Sequence, residues 1–158
     1  MIDFHKVQTE EDIQIFAKLN VELVQYHAEY ARKRGIADAE INEYNYEHAC
    51  KHIFDRESFL LKLNNKVIGI LQIEKQLSEV DNNPILYIHA LYFCKKYRDK
   101  GLGVHVLKYL CNTFRLRIEC LCWYDIPASS LYQKIGFQNM YTRYFLPLDN
   151  RFYDSDQN

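Results

Sequence analysis

A short basic turn with two glycines is the part of the sequence whose residue types best suit chemistry. Arg98, Gly101 and Gly103 lie between an apolar, aromatic-rich run over 85–93 and an amphipathic run over 103–115. These patterns predict a buried strand, a turn and the start of a helix. The first amides of a helix lack internal partners and carry the positive end of its dipole, so a turn of this kind can hold a phosphate. The charged residues around it are Lys95, Lys96, Lys100 and the opposing Asp99.

The two glycines of this turn are expected to permit positive φ angles and to let a ligand approach the backbone without a Cβ in the way. Two familiar phosphate loops do not fit the pattern. A dinucleotide-binding turn needs a third glycine where this chain has Val106, and the Gly-Lys-Ser/Thr of a Walker loop is absent. The turn is therefore either a phosphate site of another type or a plain connection between a strand and a helix.

The composition restricts the class of protein. With 158 residues, 48% hydrophobic and 26% charged, the chain is expected to form one globular domain. A net charge of −1 gives no basic field for nucleic acid, and no apolar run approaches the roughly 20 residues of a membrane span. The N-terminus lacks the order of a signal peptide. Five cysteines without a C-x-x-C pair or a disulfide framework suit reduced thiols and a cytoplasmic location.

Hydrophobic periodicity predicts the element order β-α-α-β-β-β-α-β-α-β, an α/β fold of the α+β type with a mixed sheet. Asn64 and Asn65 between two apolar runs predict a hairpin, and Gly69 in its second strand indicates a bulge or a close neighbour. We expect one domain over 1–148 and a polar tail over 149–158. The predicted elements are a strand over 2–7, a helix from Thr9 to Gly35, a weaker helix over 46–54, strands over 59–63, 67–73 and 85–93, a helix over 103–115, a strand over 118–123, a helix over 127–134 and a final strand or strand pair over 137–146.

A second motif, A-x-x-L-Y-x-K-x-G-F, follows the predicted fifth strand. Together with Arg98-x-x-Gly101-x-Gly103 and the element order, it resembles the GNAT superfamily of N-acetyltransferases, over 2–146 and most specifically over 57–146. The resemblance implies a GNAT-like, mostly antiparallel mixed sheet of six or seven strands, flanked by about four helices and splayed between strands four and five. The matching residues are Ala128, Leu131, Tyr132, Lys134, Gly136 and Phe137.

The resemblance implies that acetyl-CoA binds as the acyl donor in the cleft between the fourth and fifth strands, with no metal. The fourth strand would bind the pantetheine arm and the thioester carbonyl, and amides of the basic turn would bind the pyrophosphate. An N–H at the thioester oxygen stabilises the oxyanion that forms there. Asp125 replaces a customary asparagine, and a carboxylate cannot donate the hydrogen bonds of an amide. The residues expected to bind the cofactor are Leu91, Tyr92, Phe93, Arg98, Asp99, Lys100, Gly101, Leu102, Gly103, Val104, Asp125 and Ser129.

The resemblance also implies that Tyr132 is the general acid that protonates the departing thiolate. The glutamate found near the start of the fourth strand in some members falls at Tyr87, so no general base carries over. His89 is the leading candidate for the base, because its reference pKa of about 6.5 suits proton abstraction from an amine. Glu74, Tyr87 through a water molecule, and bulk solvent are the alternatives, and His89 is otherwise an ordinary strand residue.

Aromatic residues around the first two helices border the region that binds the acceptor in this family. Tyr26, Tyr30 and Tyr87 are the residues expected to bind the acceptor, a small-molecule or peptide amine. An acidic, aromatic wall suits a cationic amine through charge and cation–π contacts. The alternative is a tyrosine-rich edge of the core beside a solvated acidic loop. The other members of this wall are His27, Tyr44, Tyr46, Asp38, Glu40 and Glu43.

Two further patterns are weaker candidates for chemistry. Cys120 and Cys122 share one face of a strand, where a nucleophilic cysteine would imply an acyl-enzyme, but the sequence favours core packing. His48 and His52 have the i, i+4 spacing of metal ligands, yet no third ligand is evident and no metal site is expected.

The sequence therefore predicts a cytoplasmic N-acyltransferase that moves an acetyl group from acetyl-CoA to a primary amine by direct attack in a ternary complex. One alternative is a catalytically silent GNAT-like CoA-binding or regulatory module. Another is a phosphate-binding or protein-interaction domain that does not bind CoA. No nucleic acid or membrane partner is expected, and the exposed edge of the last strand would permit a homodimer.

Overall fold

A computed structural model describes residues 1–34, 45–122 and 126–140 of the chain. The described part forms one five-stranded sheet in the order β1-β2-β3-β4-β5, antiparallel except for the parallel pair β4–β5. A 3₁₀ turn, Lys95–Tyr97, follows β4. The elements are β1 Asp3–Lys6, α1 Glu10–Lys33, α2 Tyr46–Cys50, β2 Glu57–Leu63, β3 Lys66–Leu77, β4 Pro84–Phe93, α3 Leu102–Phe114, β5 Arg117–Cys120 and α4 Pro127–Ile135.

The predicted six or seven strands are not matched, since the described residues form five. Residues 137–140 are not in a strand, and the remainder of the predicted final strand pair, 141–146, lies outside the described residues. Gly136 ends α4 in the left-handed region at φ +106°, and the Phe137 amide then donates to Tyr132 O at 3.0 Å. Phe137 is thus used to close the helix rather than to begin a strand.

Local sequence signals account for the first helix and the hairpin. Thr9 Oγ1 accepts from the Asp12 amide while the Asp12 carboxylate accepts from the Thr9 amide, a capping box that starts α1. The predicted C-cap, Gly35, lies outside the described residues. Asn64 and Asn65 both have positive φ, +50° and +60°, as a type I′ turn between β2 and β3 requires.

The second helix is shorter than predicted. It ends at Cys50 rather than near residue 54, and a run of turns leads to β2. One face of the sheet is therefore covered mainly by α1. This helix contributes Phe16, Leu19 and Leu23 to a cluster with Leu60 and Ile70. The opposite face packs against α3 and α4 through the main core cluster.

None of the helices in the described ranges is both long and apolar enough to span a membrane. The division into a domain over 1–148 and a tail over 149–158 stays a prediction, because the tail lies outside the described residues.

Candidate active site

The sheet opens between β4 and β5. The two strands pair from Ile85↔Arg117 to Ile88↔Cys120, and β4 then continues to Phe93 with no β5 partner among the described residues. A strand edge of this kind presents backbone N–H and C=O groups that an extended ligand can pair with. The open edge includes Leu91, Tyr92 and Phe93, the residues predicted to bind the pantetheine arm.

A bulge at His89 lies where this gap begins. Gln72 pairs with Ala90 and Ile73 pairs with Ile88, so His89 is an extra residue on β4. The bulge shifts the alternation of the strand. Leu86 and Ile88 pack toward α3 and α4 before it, and Leu91 and Phe93 do so after it.

The His89 side chain is held by a carboxylate of the neighbouring strand. Its Nε2 lies 2.8 Å from Oε2 of Glu74, and its ring centroid lies 4.8 Å from that of Tyr87. Burial lowers the pKa of His89 below its usual value of 6.5, although the hydrogen bond to Glu74 opposes that shift. A neutral imidazole, the form that accepts a proton, is thus favoured at neutral pH.

Sequence reasoning missed the residues that hold Glu74. Arg56 Nε lies 3.4 Å from the same Glu74 Oε2, and Arg56 Nη1 donates to Gln72 Oε1 at 3.3 Å. Gln72 is buried and donates through Nε2 to Ser58 Oγ at 3.0 Å. Gln72 and Glu74 are polar residues on either side of Ile73, directly after the apolar run of β3, which was an available signal. Arg56 gave none.

Tyr132 lies on the opposite face of the sheet, at the same level of the gap. Its hydroxyl donates to the thiol of Cys120, the last β5 residue paired with β4. Its ring centroid lies 5.0 Å from that of Phe137. Burial raises the pKa of Tyr132 well above its usual value, so the phenol stays protonated and able to donate.

The basic turn after β4 leads into the N-terminus of α3. Asp99 and Gly101 are both left-handed, with φ +60° and +72°. The first intrahelical bond runs from the His105 amide to Gly101 O at 3.3 Å, so the amides of residues 102–104 have no partner within the helix. Three exposed lysines, Lys95, Lys96 and Lys100, belong to the turn that leads to these amides.

The Arg98 side chain turns back toward α1. Its Nε donates to Phe93 O at 2.8 Å, and its guanidinium carbon lies 5.2 Å from the Tyr26 ring centroid and 4.9 Å from that of Tyr92. The Arg98 amide donates to Lys95 O at 3.3 Å within the 3₁₀ turn. The structure therefore uses Arg98 to tie the turn to β4 and α1.

Gly103 has neither the positive φ angle nor the open space for a ligand that the sequence predicted. It has no positive φ, and a Cβ there would meet Leu131 Cδ2 at 2.6 Å. The absence of a side chain at Gly103 serves the contact between α3 and α4. Gly101, by contrast, has the expected positive φ and open space around it. Gly69 has the close neighbour that was predicted, because its Cβ would meet the Tyr92 carbonyl oxygen.

The predicted acceptor-binding tyrosines are not brought together. Tyr26 lies beside Arg98, and Tyr30 lies beside Tyr26, with the two hydroxyl oxygens 3.5 Å apart. Tyr92, beside the same guanidinium, donates through its hydroxyl to Glu22 Oε2 at 3.1 Å. Tyr87 is instead beside His89, five residues or roughly 16 Å along β4 from Tyr92.

Asp125 and Ser129 are the remaining predicted cofactor contacts. Asp125 lies outside the described residues. Ser129 is in the first turn of α4, where its hydroxyl donates to Ile126 O at 2.9 Å.

The cysteines considered as nucleophiles and the histidines considered as metal ligands have surroundings that suit structural roles instead. Burial raises the pKa of Cys120 and of Cys122 to about 11, so neither is an activated thiolate. Asn45 caps α2, and His48 Nδ1 lies 3.0 Å from the Oδ1 of this Asn45. His52 falls beyond the end of that helix, 3.6 Å from Asp55. Within 1–34, 45–122 and 126–140 no group of three or more metal-ligating side chains is found.

Comparison with solved structures shows the same fold in many proteins. YycN from Bacillus subtilis, designated an acetyltransferase, superposes with a TM-score of 0.67 at 20% identity, covering 92% of this chain and 98% of that one. A predicted acetyltransferase from Clostridium acetobutylicum, solved with acetyl-CoA, gives 0.58 at 17% identity over 94% and 97%. An aminoglycoside acetyltransferase from an uncultured soil metagenomic sample gives 0.57 at 16% identity over 93% and 98%.

Sequence comparison agrees with the fold. A search of curated protein sequences found no match. The model of the acetyltransferase (GNAT) family matches residues 22–137, which include β4, the basic turn, His89 and Tyr132. The chain therefore belongs to the GNAT family of acetyltransferases.

Proposed function

We propose that this protein is an N-acetyltransferase that moves an acetyl group from acetyl-CoA to a primary amine by direct attack in a ternary complex. The observation that carries this proposal is the gap between β4 and β5. The N-terminus of α3 lies beyond the open end of the gap, and Tyr132 and His89 lie on either side of its closed end.

The residues around the gap fit acetyl-CoA. The amides of residues 102–104 and the lysines of the turn supply donors and positive charge for a pyrophosphate. The open edge of β4 supplies backbone groups for an extended pantetheine arm. When bound, acetyl-CoA supplies a reactive thioester. Leu91 to Phe93 and residues 99–104 would hold it, while Arg98 would fix the turn through Phe93 O.

His89 and Tyr132 have the protonation states that direct transfer needs. A neutral His89 takes a proton from the attacking amine, because an amine attacks only when its lone pair is free. A protonated Tyr132 gives its proton to the departing thiolate. No cysteine needs to form an acyl-enzyme, since burial keeps the thiols of Cys94, Cys120 and Cys122 protonated by raising the pKa of each.

The acceptor is an amine-bearing small molecule or peptide. A structural neighbour is an aminoglycoside acetyltransferase, which supports a polyfunctional amine as the first class to test. The cytoplasmic location and the homodimer stay predictions.

The test combines binding and turnover. Acetyl-CoA at 100 times Kd should raise the melting temperature by roughly 5–11 °C, which corresponds to about 2.7 kcal/mol. Thiol release should then be followed with a panel of aminoglycosides, polyamines and peptides. A shift without transfer to any amine would favour the catalytically silent CoA-binding module, and no shift would remove acetyl-CoA from the proposal.

A matched pair of charge reversals locates the binding site. Lys96→Glu with Lys100→Glu should weaken acetyl-CoA binding on the order of tenfold, because charged hydrogen bonds to the pyrophosphate are lost. Lys108→Glu, an exposed lysine further along α3, is the control and should leave binding nearly unchanged. Equal effects of the two changes would place the pyrophosphate elsewhere.

A further inference from the structure

We propose that Glu74 and Arg56 are positioning residues that hold the His89 imidazole with its proton on Nε2 and its lone pair on Nδ1. This inference rests on the proposed function, in which His89 accepts the proton of the attacking amine. It adds the identity of the accepting atom and two residues that set it.

First, a hydrogen bond between β3 and β4 determines which nitrogen of His89 carries the proton. Glu74 Oε2 lies 2.8 Å from His89 Nε2. An ionised carboxylate can only accept hydrogen bonds, so Nε2 must carry the proton that it donates. A neutral imidazole has one protonated nitrogen, which leaves Nδ1 as the nitrogen with the lone pair.

The second step is the way Glu74 is held. Arg56 Nε approaches the same oxygen, Oε2, at 3.4 Å, so the carboxylate lies between a guanidinium and the imidazole. Arg56 Nη1 in turn donates to Gln72 Oε1 at 3.3 Å. Gln72 is 3% exposed and also donates to Ser58 Oγ at 3.0 Å and to His52 O at 3.3 Å. The network ends on the Ser58 hydroxyl of β2 and on the His52 carbonyl, and it holds Glu74 and with it the orientation of the ring.

The third step is the balance of charges around His89. The titratable and charged groups that face it are Glu74 on β3, Arg56 and His52 from the segment before β2, and Tyr87 on its own strand. Glu74 favours the imidazolium, whereas Arg56 and His52 disfavour it and burial adds to their effect. Glu74 and Arg56 are therefore expected to act on His89 in opposite directions.

The proton balance of the transfer follows. As the bond between the amine nitrogen and the acetyl carbon forms, the amine proton moves to His89 Nδ1. The bond to sulfur breaks, and the thiolate takes the proton of Tyr132. The Nε2 proton stays between His89 and Glu74, and the carboxylate stabilises the imidazolium that is formed. Solvent then takes one proton from His89 and returns one to Tyr132.

The experiment is a ¹⁵N NMR titration of the histidine side chains in the full-length chain. The chain has six histidines, and His89→Gln assigns the signal by its loss. The wild-type signal should show the Nε2–H tautomer. Glu74→Gln should lower the pKa of His89, and Arg56→Gln should raise it, because each removes one of the opposing charges.

The activity of the same variants provides the second readout. The acidic limb of the pH profile of kcat/KM should move to lower pH in Glu74→Gln and to higher pH in Arg56→Gln. Glu74→Gln should also lower kcat on the order of tenfold to hundredfold, because the base is no longer held in place. Glu74→Asp should recover part of the tautomer preference, and the KM for acetyl-CoA should stay unchanged.

Several results would overturn the proposal. One is an Nδ1–H tautomer of His89 in the wild type. Another is a shift of the His89 pKa in the same direction in Glu74→Gln and Arg56→Gln. The third is undiminished turnover in His89→Gln. If Glu74→Gln does not fold, the sign of the shift in Arg56→Gln decides alone. Failure of the proposed function looks different, since no amine would then be acetylated by the wild type whatever the tautomer of His89.

Discussion

The two faces of β4 prepare two titratable groups in opposite ways. On the face toward α1 and the segment before β2, burial lowers the pKa of His89 and favours the neutral base. On the face toward α3 and α4, burial raises the pKa of Tyr132 and keeps the neutral acid. The physical cause is the same on both faces, because removal from water disfavours whichever form is charged. The charged form of His89 is the protonated one, so burial lowers its pKa, whereas the charged form of Tyr132 is the deprotonated one, so burial raises its pKa.

The difference between the faces lies in their partners. His89 belongs to a network with two opposing charges, Glu74 and Arg56, so its basicity can be changed in either direction by substitution. Tyr132 is surrounded by Cys120, Cys122 and Phe137, whose neutral side chains leave burial to dominate. The polar face thus leaves the pKa of His89, the proposed base, open to change in either direction, whereas the apolar face keeps Tyr132, the proposed acid, in its neutral form.

The largest effect is expected from loss of the acid. Tyr132→Phe should lower kcat on the order of 100-fold, because general acid catalysis contributes about 10² to 10⁴. Acetyl-CoA affinity and the melting temperature should change little, since the ring that packs on Phe137 remains. Steady-state kinetics and a thermal melt check both. Tyr109→Phe, at an exposed tyrosine of α3, is the control. Equal turnover in Tyr132→Phe would remove this hydroxyl from the mechanism.

The next effect tests the base. His89→Gln should lower kcat/KM on the order of 100-fold near pH 7. In the wild type, kcat/KM should rise as the pH increases through the pKa of His89. Burial lowers that pKa, so the rise should lie at a lower pH than that of a histidine with the usual pKa of about 6.5. The acidic limb should disappear in His89→Gln. A limb that persists unchanged would assign the titration to another group.

A smaller effect should show whether Tyr26 supports acetyl-CoA binding through Arg98 or binds the acceptor amine. Tyr26→Leu removes one of the rings beside the Arg98 guanidinium, a contact worth about 0.5–1 kcal/mol at an exposed site. Acetyl-CoA should then bind a few-fold more weakly, as measured by calorimetry, while the amine KM stays unchanged. Tyr30→Leu is the matched control, because the Tyr30 ring contacts Tyr26 but is not one of the rings beside the Arg98 guanidinium. A raised amine KM with unchanged acetyl-CoA affinity would instead support the acceptor role predicted from sequence.

The smallest effect concerns packing on the α3–α4 face. Gly103→Ala should cost about 1 kcal/mol of unfolding free energy, or roughly 2–4 °C, because the new Cβ meets the movable end of Leu131. The double variant with Leu131→Val should lose less than the sum of the single changes, as expected for residues in contact. A large loss of acetyl-CoA affinity without loss of stability would show that Gly103 clears space for a ligand after all.

The sequence predicted the family and the elements from β1 to α4 because their signals are local, whereas the predicted strand after α4 is not found at 137–140. The capping box at Thr9, the paired asparagines of the hairpin and the left-handed Gly101 and Gly136 depend on residues close in sequence. The boundaries of α3 and α4 lie within one residue of those predicted. The end of α2 was missed, since no stop signal follows Cys50 and the turns after it are set by contacts of Ser58 and Gln72.

What the sequence by itself determined is the set of groups that we propose to act: a glycine-bearing basic turn before a helix, a histidine on the fourth strand and a tyrosine in a family motif. Only the tertiary structure decided where these groups point. The bulge at His89 depends on the register between β3 and β4, and its partner Glu74 is 15 residues away. The fold also decided that Gly103 faces Leu131 and that Arg98 lies against Tyr26. Residue type and local spacing fix chemistry and secondary structure, but the facing of a side chain is set by strand register and by neighbours distant in sequence.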